Sequence, residues 1–207
     1  WDWTLGVNLG GVVNGIQTFV PRLLARGEGG YVVNTDSGAG LVASSAGFLY
    51  STSKFAVVGM SEALHLELAP YGIGVSVLCP GAVDTRIVEN TSSVGPGSND
   101  PVDPRLAAAR EASAAFLKAG TSTDVVANMV LDAMDEGRLH IQTDRMLEQL
   151  LEARHAAVMA SMPECASQPG RLRPRPSCLT CPASVPPGQV RPAGWGSPSR
   201  PHSPPRA

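Results

Sequence analysis

The chain has 207 residues, 43% of them apolar, and a net charge of −2, with a mean hydropathy near zero (+0.02). That is enough chain for one domain with a packed core, and the near-neutral charge gives nucleic acid or an anionic membrane no strong hold on it. No run of 18 or more apolar residues occurs, so no segment reads as a membrane-spanning helix.

In chain order, Trp1-Asp2-Trp3 shows neither a basic leader segment nor an initiator methionine, so the chain is expected to open inside a longer protein. Residues 2–26 read as a helix, because Leu5, Leu9, Val12, Val13, Ile16, Phe19, Val20, Leu23 and Leu24 recur at spacings of three and four. Gly27 and Gly29-Gly30 stop it. Tyr31–Thr35 then reads as a short buried strand, and Gly38–Gly47 as a loop of small residues. A second helix is expected over Tyr50–Ala69, with Phe55, Val58, Leu64, Leu66 and Leu68 as its apolar positions and Pro70 and Gly72 at its end.

Gly74–Leu78 reads as another buried strand, closed by Pro80-Gly81. Residues 90–104, rich in Ser, Gly, Pro and Asp, read as a mobile loop. Helical patterns return at 105–118 and 124–136, the latter with Thr123-Asp124 as its expected N-cap. Leu139–Gln142 reads as a third strand and 145–160 as a last helix. Strand and helix alternate at spacings that suit parallel crossovers, so the fold class is α/β with a parallel sheet.

The composition changes near Ser161. Twelve of the 18 prolines and six arginines lie beyond that point, with no lysine. Such a segment cannot build a core and is expected to stay disordered, which divides the chain into a domain over 1–160 and a tail over 161–207. A frameshifted GC-rich reading frame would also give this composition. Of four cysteines only Cys79 lies in the patterned body, which argues against a disulfide framework and for a reducing compartment, with the cytoplasm as the expected location. Cys178 and Cys181, with Cys165 nearby, lack the second pair that a metal site needs.

The chemistry is expected in the middle of the domain. Tyr50 and Lys54 are four apart at the start of a helix and so share a face. An ammonium beside a phenol favours the phenolate, and a phenol so placed can exchange a proton with an alcohol or a carbonyl. Ser37, thirteen positions upstream at a strand end, can hold the same oxygen. His65 reads as part of a solvated face and His140 as structural.

Ser37, Tyr50-x-x-x-Lys54, Pro80-Gly81-Ala82-Val83-Asp84-Thr85 after the following strand, and Asn8 in Gly6–Leu9 occur in that family's order and resemble the short-chain dehydrogenases/reductases over residues 1–155. The resemblance implies the C-terminal part of a Rossmann-type, doubly wound fold and NAD(P)-dependent interconversion of a secondary alcohol and a ketone. It makes Tyr50 the general acid/base, Lys54 its charged neighbour and the binder of the nicotinamide ribose, and Ser37 the group that orients the substrate oxygen. Asn8 would hold a water in a proton relay ending at Lys54. Pro80, Gly81, Val83 and Thr85 would line the nicotinamide.

The family's glycine-rich phosphate loop and its ribose-selecting residue have no counterpart here, so the choice of NAD or NADP is unreadable and these 207 residues alone are expected to be inactive. The strand at 31–35 would then keep an unpaired edge. Asp36 stands where the family more often has a small residue; strand alternation should turn it away from Ser37, and facing the pocket it would work against the catalytic role of Tyr50. The resemblance also implies a homodimer or homotetramer built through the helices at 2–26 and 50–69. A rival reading is a non-catalytic interaction protein that uses its helices and proline-rich tail, with Arg173-Pro174-Arg175-Pro176 as a faint docking segment. An RNA-binding tail is a third.

Overall fold

The computed structural model describes residues 1–43, 47–94 and 104–163. The tail with Cys165, Cys178, Cys181 and Arg173–Pro176 lies outside these residues, as do 95–103 of the expected loop.

Three parallel strands form the sheet: β1 (Gly30–Thr35), β2 (Ile73–Cys79) and β3 (His140–Gln142), in the order β1-β2-β3. Gly30 pairs with Ile73 and Thr35 with Leu78, while Val77 pairs with His140 and Cys79 with Gln142. The expected α/β class and parallel sheet are observed. All three strands end at one edge, so the segments after Thr35, Cys79 and Gln142 meet there. No described strand pairs with the far side of β1.

One face of the sheet carries α2 (Gly11–Arg26) and α3 (Phe48–Leu68). Ile16 and Val20 from α2, Leu64 and Leu68 from α3, and Ile73 and Val75 from β2 make the main core. The alternate residues of β2 face α6 (Thr123–Glu136). There the Tyr31 hydroxyl hydrogen-bonds Ser76 Oγ at 2.8 Å, and Ser76 Oγ donates to Arg138 O at 2.6 Å. A side chain at Gly74 would strike the Tyr31 ring at 2.2 Å, so glycine lets the aromatic lie across the strand. The result is a sheet covered on both faces, the arrangement parallel strands require.

Several expectations need correction. The first helix is not continuous: α1 (Asp2–Leu5) runs into a π turn, Gly6–Gly10, before α2 begins. Phe19 and Leu66, both apolar positions of the helical patterns, are 59% and 76% exposed, while Ser51, Ser53 and Ser61 occupy inward positions of α3. The cap of α6 is Ser122, whose Oγ accepts from Val125 N at 3.4 Å, and Thr123 is already helical. Residues 87–93, partly read as loop, form α4 (Ile87–Ser93), followed by α5 (Pro104–Lys118). The last helix, α7 (Glu148–Ala160), starts three residues late. His65 is not a solvated-face residue: its Nδ1 lies 3.3 Å from Val75 O. His140 pairs with Glu62 at 3.0 Å, a structural contact.

Candidate active site

The site is assembled where β1 and β2 end. Asp36 N donates to Leu78 O at 2.7 Å and Gly38 N to Pro80 O at 2.9 Å, so the two strand exits are pinned side by side. Ser37 leaves β1 in extended geometry and caps the short 3-10 turn Gly38–Gly40, its Oγ accepting from Ala39 N at 3.2 Å. That uses the hydroxyl as an acceptor and leaves its proton to donate elsewhere. Val83 forms a parallel bridge to Thr121, and Gly81 N donates to Thr143 Oγ1 at 3.0 Å, so the Pro80–Thr85 segment is held from two sides.

A cleft of about 440 Å³ opens here. Ser37, Tyr50, Pro80, Gly81, Val83 and Thr85 all line it, with Ile87, Leu117, Thr123 and Val126 closing the far wall. Six of the eight residues singled out in the sequence therefore converge on one hollow. Its mix of apolar wall and a few convergent hydroxyls is typical of small-molecule sites. The contributions of α4, α5 and α6 had no motif to announce them.

Lys54 and Asn8 stand behind this wall. One helical turn past Tyr50, Lys54 places its Nζ 5.7 Å from the Tyr50 ring centroid. The ammonium donates to Thr35 O at 3.4 Å and Asp36 O at 3.3 Å. Burial holds its pKa below the usual lysine value, and the nearby Asp36 charge pulls it back up. Asn8 lies on the π turn, a distortion that re-aims side chains and recurs at functional sites. Its Nδ2 donates to Ser53 Oγ at 3.2 Å, and Ser53 Oγ donates to Tyr50 O at 2.7 Å. Asn8 thus reaches the first turn of α3 through Ser53 rather than touching Lys54. Ser53 was missed in the sequence; its only signal is a hydroxyl three residues after Tyr50 on an apolar helix.

Asp36 is 5% exposed. Its Oδ2 lies 3.9 Å from Cys79 Sγ, which donates to it, and its Oδ1 has no hydrogen-bond partner. Burial raises its pKa to about 6, against the lowering effects of the Ser37 N–H, the Lys54 charge and the Cys79 thiol. Cys79 is pushed up to about 12, by burial first and by the Asp36 charge second, so it is a packed, unreactive thiol. Among the described residues no cluster of three His, Cys, Asp or Glu is placed to hold a metal ion, and no helix is long and apolar enough to cross a membrane.

The chain is similar to known proteins in sequence and in fold. The short chain dehydrogenase family model matches residues 1–94. The C alpha-dehydrogenase of Sphingobium sp. SYK-6 is 32% identical over 186 residues, 86% of this chain and 59% of that protein. "Probable oxidoreductase EphD" of Mycobacterium tuberculosis is 43% identical over 100 residues, 48% of this chain and 17% of that protein. A short chain dehydrogenase/reductase of Burkholderia phymatum, solved in complex with NAD, superposes with a TM-score of 0.70 at 29% identity, over 83% of this chain and 62% of that one. The chain spans less than two thirds of the length of each. On the parallel sheet, the family match and these relatives, the chain belongs to the short-chain dehydrogenase/reductase family, oxidoreductases with a Rossmann-type fold.

Proposed function

We propose that these residues form the proton-handling half of an NAD(P)-dependent oxidoreductase that interconverts a secondary alcohol and a ketone. The observation that carries the reading is the meeting of Ser37 and Tyr50 in one cleft with the Pro80–Thr85 wall, while the Lys54 ammonium stands behind the Tyr50 ring. A nicotinamide ring suits this lining: Pro80 and Val83 offer an apolar wall, Gly81 lets backbone come close, and Thr85 adds a polar edge. When bound, that ring supplies the hydride donor or acceptor.

The chain's own residues manage the substrate oxygen and one proton. Ser37 donates its hydroxyl proton to the substrate oxygen and fixes its position. Tyr50 gives or takes the proton that accompanies hydride transfer. Lys54 stabilises the charge that develops on the phenol oxygen. Asn8, through Ser53, braces the turn that carries Tyr50, and there it can hold a water in a proton relay that ends at Lys54. The 207 residues contain no strand–glycine-loop–helix unit to cradle a pyrophosphate, so NAD is not distinguished from NADP and the isolated chain is silent. Assembly as a homodimer or homotetramer through α2 and α3 completes the proposal, with exposed Phe19 and Leu66 as candidate contacts.

The test is turnover of a panel of secondary alcohols and ketones with both nicotinamide cofactors. The chain is assayed alone and joined behind a family phosphate-binding front. Activity is expected only in the joined protein. Turnover by the bare chain contradicts the missing-cradle argument. A joined protein that folds, binds the cofactor and turns over nothing removes the enzymatic reading and favours an interaction role.

A further inference from the structure

We propose that Asp36 is a positioning residue for Lys54: a buried counter-charge at the edge of the cleft that ties the state of the lysine to its own ionisation. The proposal rests on the reading of Lys54 as the partner of Tyr50 and deepens it.

A buried carboxylate is expensive unless a cation and hydrogen bonds compensate it. Asp36 is 5% exposed, one of its oxygens has no partner, and the other meets only a thiol. The groups that face it are Lys54 from α3 and Cys79 from β2, and Glu62 of α3 bears on Cys79 in turn. Lys54 is the one cation among them. Its ammonium is tied to the Asp36 backbone by the 3.3 Å bond to the carbonyl. The influence is reciprocal: the lysine lowers the carboxyl's pKa and the carboxyl raises the lysine's.

The space for the carboxylate is built into the fold. A side chain at Gly40 would lie 2.0 Å from Asp36 Oδ2 and 2.9 Å from Lys54 O. The bare glycine therefore leaves the hollow that the carboxylate fills, against the backbone of α3. Lys54 thus lies near both Asp36 and the Tyr50 ring. When Asp36 is ionised it helps hold the ammonium charged, and when Asp36 is protonated that support is lost. Asp36 titrates at about pH 6, so the change falls close to neutrality.

The 207-residue chain contains only two lysines, Lys54 and Lys118, which makes the test direct. The chain is labelled with nitrogen-15 at lysine Nζ, the two signals are assigned with Lys118→Arg, and both are followed from pH 4 upward. The Lys54 signal is expected to show an inflection near pH 6, absent from Lys118, and to lose its proton at higher pH. In Asp36→Asn, which keeps the shape and removes the charge, the inflection is expected to vanish and the main titration to move to lower pH. Cys79→Ser should keep the inflection. A Lys54 signal with no step near pH 6, or the same step in Asp36→Asn, overturns the proposal. If Asp36→Asn does not fold, carbon-13 at the aspartate carboxyls of the unmodified chain decides. The Asp36 carboxyl titration and the low-pH inflection of Lys54 Nζ must share one midpoint, and separate midpoints overturn the proposal. None of these readings needs cofactor or substrate. Failed turnover in the joined protein therefore strikes the oxidoreductase reading alone, and a flat Lys54 titration strikes the Asp36 coupling alone.

Discussion

Two hollows flank the sheet, and the larger is the poorer candidate for chemistry. The groove between α2 and the free side of β1 holds about 630 Å³ and is lined mainly by Val12, Ile16, Phe19, Val20, Leu23 and the β1 residues. The cleft at the strand ends holds about 440 Å³ and gathers the hydroxyls of Ser37, Tyr50, Thr85 and Thr123. Volume measures uncovered apolar surface, whereas catalysis needs polar groups aimed at one point. The groove is wide because no described strand pairs with that side of β1. The cleft is narrow because four segments are bonded across it.

The sharpest way to break this contrast is to disable each hollow in turn. In the joined protein, Tyr50→Phe should lower turnover by about 10²–10⁴-fold, the range for a general acid/base. Phe19→Glu in the groove should leave turnover nearly unchanged. Steady-state assays at saturating substrate decide, and equal losses would erase the distinction. Next in size is Leu68→Ala. Leu68 is fully buried beneath the groove, packed with Ile16 and Val20, and its truncation should cost about 2–5 kcal/mol in urea unfolding. A loss near zero would mean that the groove floor is not packed.

The cleft side has its own signature in pH. Burial raises the folded-state pKa of Asp36 from 3.8 to about 6, so the native state holds that proton more tightly than the unfolded chain. Stability from this source is complete below about pH 4 and falls as pH rises to about 6, by up to roughly 3 kcal/mol. Asp36→Asn should flatten the curve over that window, as read by urea midpoints at successive pH values. Smallest is the effect of Phe19→Glu on stability, expected within about 0.5 kcal/mol because the ring is 59% exposed. The same change should reduce self-association in light scattering, since it charges the apolar rim beside an open strand edge. Undiminished association would place the sticky surface elsewhere.

The strands and the motif residues were legible in the sequence because their signals are local. β1 and β2 are runs of apolar and β-branched residues, and Tyr50–Lys54 is a four-residue spacing. The inward serines of α3 were not legible, because a hydroxyl turns inward without penalty when it bonds to its own helix. Ser53 donates to Tyr50 O and Ser61 to Val57 O. Leu66, one of the apolar positions of that helix, is 76% exposed while serines fill inward places. Ser122 ranks above Thr123 as a cap, and its Oγ accepts from Val125 N. The Asn8–Ser53 bond spans 45 positions, and no periodicity reports such a distance. Asp36 was expected to turn from Ser37. Its carboxylate does go toward Cys79, but the tie of its carbonyl to Lys54 spans 18 positions and leaves no local signal.

The π turn at Gly6–Gly10 has a cost that shows only when the chain is shortened. A wide turn of this kind is a helix with one residue to spare. Removing Gly6, Val7, Leu9 or Gly10 would let the stretch close into a regular helix and re-aim the side chains around it. Asn8 would then turn away from Ser53. A single-codon deletion there would thus be felt at Tyr50, forty residues away, with every proposed catalytic side chain still in the sequence.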